Sequence, residues 1–218
     1  MNSCSIFKIN ISKFLGYDGA YIYEGKAALL KSAIEIYKNP KIYWKESYLY
    51  SFYKNFQPKN MGELYDLNKD NNLYHISSYM DFKPWIDKLP LTKKSKGIFG
   101  PIDENEIKHR ILRLKNIFIN IEKFGYLSTE TDIVKGYLLI LDNDYRFLIT
   151  SGHHRIAVLK TINYFNKEMH KNILVKFDNK RANKNIVDIR KIQSWPAIRS
   201  SYCSQEDALD FVTKYCFG

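Results

Sequence analysis

Residues 133–163 read as strand, tight turn, strand, glycine and helix in immediate succession, and that order dictates where their side chains converge. Residues 133–141 are apolar on both faces around Gly136, the pattern of a strand covered on both sides. Asp142, Asn143 and Asp144 supply turn chemistry and residues 145–150 return as a second strand, so the pair is predicted to form a hairpin. Gly152 breaks the strand, and residues 153–163 then carry Ile156, Leu159 and Ile162 on one helical face. Ser151-Gly152-His153-His154-Arg155 therefore falls where a strand stops and a helix begins.

A helix N-terminus presents backbone N–H groups without partners and the positive end of the macrodipole, so an anion binds there readily. Gly152 lets a ligand approach the backbone closely. Arg155 could grip a phosphate with two parallel hydrogen bonds. His153 and His154 could each donate to a phosphate oxygen or move a proton near neutral pH. The plainer alternative is a capping or packing histidine in an ordinary strand-to-helix turn. Three adjacent phosphate-compatible side chains behind a glycine favour the anion.

The flanking sequence is predicted to build a mixed α/β chain with a helical N-terminal extension. Ala27, Leu30, Ile34 and Tyr37 form a helical stripe over residues 26–38, ended by Asn39-Pro40. Residues 44–56 suggest a second helix, closed by Pro58, and residues 68–97 an irregular connector around Tyr79, Phe82 and Trp85. Asp103 and Glu106 have capping-box spacing, and Ile107, Ile111, Leu114, Phe118 and Ile121 predict a helix of about five or six turns ended by Gly125. Strands are expected at residues 174–177 and 187–192, and a last helix at 204–215 capped by Ser204.

Charge and composition bound the partners. The 218 residues carry a net charge of +11, which raises the prospect of a polyanion. The densest basic stretch, 167–191, is interrupted by Glu168, Asp178 and Asp188, and speaks only weakly for nucleic acid. The longest clean apolar run, 138–141, is far short of the roughly 20 residues of a membrane span, and residues 1–13 lack a secretory h-region, so no membrane partner and a cytoplasmic location are expected. Cys4, Cys203 and Cys216 have no CxxC spacing, which argues against a disulfide scaffold or zinc knuckle. No His or carboxylate set has metal-ligand spacing, so any metal is expected to be Mg²⁺ carried in by a nucleotide.

Residues 145–159, Tyr-Arg-Phe-Leu-Ile-Thr-Ser-Gly-His-His-Arg-Ile-Ala-Val-Leu, resemble the signature turn of the ParB/sulfiredoxin fold, whose members carry variations on Asp-Gly-His-His-Arg, Gly-Cys-His-Arg or Gly-Glu-Arg-Arg. The helix at 106–126, ending Phe-Gly-Tyr, is similar to the helix that precedes the hairpin in partition proteins. Trp195-Pro196-Ala197-Ile198-Arg199, and the stretch from Tyr43-Trp44 to Gln57-Pro58, resemble ParB-like proteins often encoded among surface-polysaccharide genes. The resemblance covers roughly residues 100–218 with fair specificity and the rest only loosely. It implies a ParB/sulfiredoxin-like mixed sheet over 98–218, a helical and aromatic extension with connector over 1–97, and a turn that cradles the phosphates of ATP or CTP with Mg²⁺.

Two departures narrow the chemistry. Sulfiredoxins place a cysteine directly before the His-Arg pair; here His153 stands there, so peroxiredoxin repair has lost its nucleophile. The free-serine kinases of the fold carry an acidic residue before Gly-His-His-Arg; here it is Ser151, which leaves Glu106, Asp132 or Asp142 as candidate bases.

The expected nucleotide-binding residues are thus Ser151, Gly152, His153, His154, Arg155 and Arg113, and the expected catalytic residues His153, His154 and Glu106. The predicted function is a nucleotide-binding phosphotransferase or nucleotide hydrolase acting on a small molecule or glycan precursor. A non-catalytic nucleotide-gated regulator or DNA-associating protein, and a purely structural partner of a biosynthetic complex, are the rivals. Among weaker candidates, Gly100-Pro101 is a helix lead-in or a second anion turn, Arg113 a surface salt-bridge partner or a phosphate contact, and Lys135 an edge lysine or a ligand contact. Trp195-Pro196 reads as a packing anchor, His109 and Arg110 as solvent-facing, and His75 and His170 as uninformative.

Overall fold

The computed structural model describes residues 6–15, 28–77, 82–86, 102–126, 133–166, 169–178 and 185–217. Among the described residues thirteen elements of regular helix or strand succeed one another: β1 (Ile6–Asn10), β2 (Phe14–Leu15), α1 (Ala28–Lys38), α2 (Tyr48–Asn55), α3 (Met61–Tyr65), α4 (Glu104–Phe124), β3 (Val134–Leu141), β4 (Asp144–Ser151), α5 (His153–Asn166), β5 (Asn172–Phe177), β6 (Ile186–Asp188), α6 (Pro196–Arg199) and α7 (Gln205–Phe217), with short 3₁₀ turns at Ile11–Lys13, Trp44–Glu46 and Ile189–Ser194 completing the order. The fold is mixed α/β.

The sheet runs β1-β5-β3-β4-β2, with β6 pairing β3 beyond the end of β5. β3 is its centre, antiparallel to β4 and parallel to β5 and β6. The expected hairpin is present, with Leu141 opposite Asp144 at the turn and Lys135 opposite Ser151 at the open end. A Cβ on Gly136 would lie 2.0 Å from the Leu148 carbonyl oxygen, so only glycine lets the two strands approach there.

Alternate residues of the central strands face two different cores. Tyr137, Leu139, Leu141 and Leu148 pack with Trp85, Trp195, Phe211 and Tyr215. Val134, Phe147 and Ile149 pack with Ile156 and Leu159 of α5. The opposite side of α5, Ala157, Val158 and Ile162, joins the first core with α1 and α4. With residues 156–159, 161 and 162 all buried, the middle of α5 is wedged between sheet and helices.

Several expectations change in detail. The segment read as helical contributes β1 and β2, which pair with β5 and β4 across the length of the chain. Residues 44–56 divide into a 3₁₀ turn and α2, capped by Ser47, whose Oγ accepts from the Tyr50 N–H. Residues 187–192 are a strand only to Asp188. The connector is irregular yet buries Leu73, Phe82 and Trp85; Tyr79 lies outside the described residues. Asp103 caps α4 by accepting from Asn105 N–H, but Glu106 does not reach back to complete the box, since it pairs with Arg110. Lys135 is not an edge lysine, because β3 has neighbours on both sides. Trp195 is a packing anchor, 3 % exposed and edge-on to Trp85. Among the described residues no helix is long and apolar enough to cross a membrane.

Candidate functional site

β4 ends at Ser151, Gly152 adopts φ +107°, and α5 starts at His153. A β-carbon at that φ would be strained and would meet Val134 Cγ2 at 3.0 Å, so the chain reverses here because the residue is glycine. The first bond of the helix runs from Ile156 N–H to the Gly152 carbonyl, which makes His153, His154 and Arg155 its opening turn.

α4 faces this turn. Glu106, Arg110, Arg113 and Ile117 recur at four- and three-residue steps, one position before the buried stripe of Ile107, Ile111, Leu114 and Phe118. That rotation of about 100° turns the second stripe away from the core and toward α5. Together with Leu29 of α1 and residues 150–155, it encloses a cavity of about 350 Å³.

Ser151, Gly152, His153, His154, Arg155, Arg113 and Glu106 all line this one cavity. Asp142 does not, because it sits in the β3–β4 turn at the opposite end of the eight-residue β4, about 25 Å along the strand, where its charge is felt by Arg190. It is removed as a base. Asp132, Gly100 and Pro101 lie outside the described residues, as do Lys167, Glu168, Lys180, Arg181 and Lys184 of the basic stretch.

Electrostatically the cavity is cationic. Arg110, Arg113 and Arg155 converge on it with two histidines, against one lining carboxylate. That carboxylate, Glu106, accepts from Arg110 Nε at 3.0 Å. Arg113 makes no ion pair or side-chain hydrogen bond among the described residues. The His154 Nε2 is covered and has no hydrogen-bond partner. Burial, then the charges of Arg113 and Arg110 and neighbouring His153, push the His154 imidazole down to about 3. It is neutral across the physiological range.

A second cavity of about 470 Å³ adjoins the first and shares Arg113, Ile117 and Arg155 with it. Its other walls are Asn120, Ile121, Phe124, Gly125 and Tyr126. The pair forms a cleft with one cationic end and one aromatic and aliphatic end.

Four residues that line the cavity, Leu29, Arg110, Ile117 and Thr150, are not among the residues expected from the sequence. Arg110, read as solvent-facing, lines the cavity and donates to both Glu106 and the Tyr53 hydroxyl. Its signal was available, since it shares a helical stripe with Glu106 and Arg113. Thr150 lines the cavity and donates to Asp178, a carboxylate only 7 % exposed, whose N–H in turn donates to the Gly136 carbonyl at 2.9 Å. Leu29 comes from α1, and only its place in the fold brings it here.

Outside the cleft the expectations are plainer. Cys203 is buried, and burial with nearby Asp207 pushes its thiol up to about 11, away from reactivity. Cys4 and the Cys216 side chain lie outside the described residues. His109 and His75 are exposed. Among the described residues no group of three or more His, Cys, Asp or Glu side chains could hold a metal ion.

No family model matches the chain, and comparisons with curated proteins and with solved structures likewise give no match.

Proposed function

We propose that the cleft binds a nucleoside triphosphate, ATP or CTP with its Mg²⁺, and that the protein is a phosphotransferase or nucleotide hydrolase acting on a small molecule or glycan precursor. The observation that carries this is the meeting of three guanidinium groups and two imidazoles on one cavity at the start of α5. Such a set is costly to hold together without an anion, and it suits several phosphate oxygens at once.

The residues fit the group. The turn at Gly152 offers amides and the positive helix end, Arg113 and Arg155 offer planar donors, and His154 offers an imidazole with no protein partner. The adjoining cavity, walled by Ile117, Ile121, Phe124 and Tyr126, suits the nucleoside portion. Mg²⁺ would enter on the phosphates and neutralise part of their charge. Arg155 would steady charge developing on the transferred group, and Glu106 is the carboxylate in reach to take a proton from an acceptor hydroxyl or water. The succession β4, Gly152, α5 beneath a long facing helix agrees with the ParB/sulfiredoxin resemblance and supports the same reading.

Calorimetric titration of ATP and of CTP with Mg²⁺ tests it. The wild type is expected to bind at least one of them, and Arg155→Ala to bind about tenfold or more weakly, the weight of a lost charge-assisted hydrogen bond. No heat with either nucleotide overturns the proposal.

A further inference from the structure

His154 stands out within the cavity because it lines the wall, its Nε2 is covered without a partner, and every charged neighbour but one is positive. α4 presents Glu106, Arg110 and Arg113 to it, and its own helix presents His153 and Arg155. Leu29 of α1 and Thr150 and Ser151 of β4 are uncharged. Glu106 is engaged by Arg110, so the field on the imidazole is repulsive to a proton while the cavity is empty.

A dianion placed among these groups reverses that field. It supplies the negative partner that the imidazole lacks, and it does so in a site partly screened from water, where such a pair is stronger than on the surface. We infer that His154 sets the charge class of the group this cavity accepts: a dianionic oxyanion enters together with one proton, taken up from solvent by the His154 imidazole. The inference rests on the anion-binding reading of the same cavity. The depressed proton affinity of the empty state accords with it.

The balance is simple. Solvent supplies one proton, the imidazole becomes imidazolium, and no bond other than N–H forms. A terminal phosphoryl group carries close to two negative charges near neutral pH, whereas an internal phosphodiester carries one. The chamber therefore favours a terminal phosphoryl group over a diester.

Sulfate is a suitable probe, since it stays dianionic between about pH 5 and 8 and takes up no proton itself. His154 imidazole ¹⁵N signals, assigned by their loss in His154→Gln, are followed against pH with and without saturating sulfate. Without sulfate the ring is expected to stay neutral throughout; with sulfate it is expected to protonate within that range. Sulfate affinity should weaken by up to about tenfold per pH unit as pH rises toward the bound-state midpoint, then level off, as linkage to one proton requires. His154→Gln should bind sulfate with a shallower pH slope, and His153→Gln should retain the His154 protonation. A His154 ring that stays neutral with sulfate bound, or an unchanged slope in His154→Gln, overturns the inference and leaves the nucleotide reading standing. No sulfate binding to the wild type at any pH overturns both.

Discussion

The guanidinium of Arg110 lies 5.1 Å over the ring of Tyr53 and donates to its hydroxyl, so a side chain of α2 steers a cation of the cleft. Tyr53 is 3 % exposed, which fixes the ring. Tyr53→Phe keeps the ring and removes the acceptor. It should cost about 0.5–1.5 kcal/mol in urea unfolding, and it should weaken nucleotide binding less than Arg110→Ala does. Equal affinities in wild type and Arg110→Ala would remove Arg110 from the site.

Gly152→Ala should destabilise the fold by about 1–3 kcal/mol, the usual cost of forcing a side chain into a disfavoured backbone region. The added carbon also meets Val134. The turn should shift with it, so nucleotide affinity should fall together with stability. A stability indistinguishable from wild type in denaturant unfolding would mean that the chain does not reverse at Gly152 as described.

Phe14→Ala tests whether the early strands belong to the same cooperative unit as the site. Phe14 is 1 % exposed, and its ring meets Phe147 of β4 edge-on at 5.4 Å. The expected loss is about 3–5 kcal/mol in a single unfolding transition. A loss below about 1 kcal/mol would show that β2 contributes nothing to the core around β4.

Acid should unfold the protein in two steps of distinct origin. His154 holds its proton less tightly folded, at about 3, than its ordinary 6.5 when unfolded. The unfolded chain therefore gains protons first, and stability that is complete above about 6.5 drains away as pH falls toward 3. Glu104 is held down to about 2 from 4.5 by hydrogen bonds from Lys54 and Tyr50, with Lys45 adding to them. Its contribution, small because the pair is exposed, is lost between about 4.5 and 2. Melting temperature measured against pH should show the upper limb flattened in His154→Gln and the lower limb flattened in Glu104→Gln. An unaltered upper limb in His154→Gln would show that the ring is not held neutral.

What could be read in the sequence was what depends on neighbours within a few residues. The hairpin, the break at Gly152 and the long helix ending at Gly125 each follow from local spacing and turn chemistry, and all three are present. Residues 7–11 alternate apolar and polar as a strand does, but the pairing of β1 and β2 is not legible, because their partners, β5 and β4, lie more than a hundred residues away. Within the site, residues 151–155 were legible as a cluster because they are contiguous. Arg110 is legible only from the stripe beside the buried one on α4, which spells Glu106, Arg110, Arg113 and Ile117. Asp142 is separable from the site by sequence alone, because the hairpin turn it occupies and Ser151 bound opposite ends of the same strand. Thr150 and Asp178 meet only because β4 and the end of β5 flank β3.

The central claim is that phosphates sit at the turn between β4 and α5. Backbone and arginine side-chain NMR signals, followed while ATP or CTP with Mg²⁺ is added to ¹⁵N-labelled protein, test it most directly. The largest shifts should fall on residues 151–155 and on the Arg113 and Arg155 guanidinium groups, with Asn120 and Tyr126 moving for a nucleotide but not for tripolyphosphate. Shifts that leave residues 151–155 still while spreading over surface lysines would contradict the account.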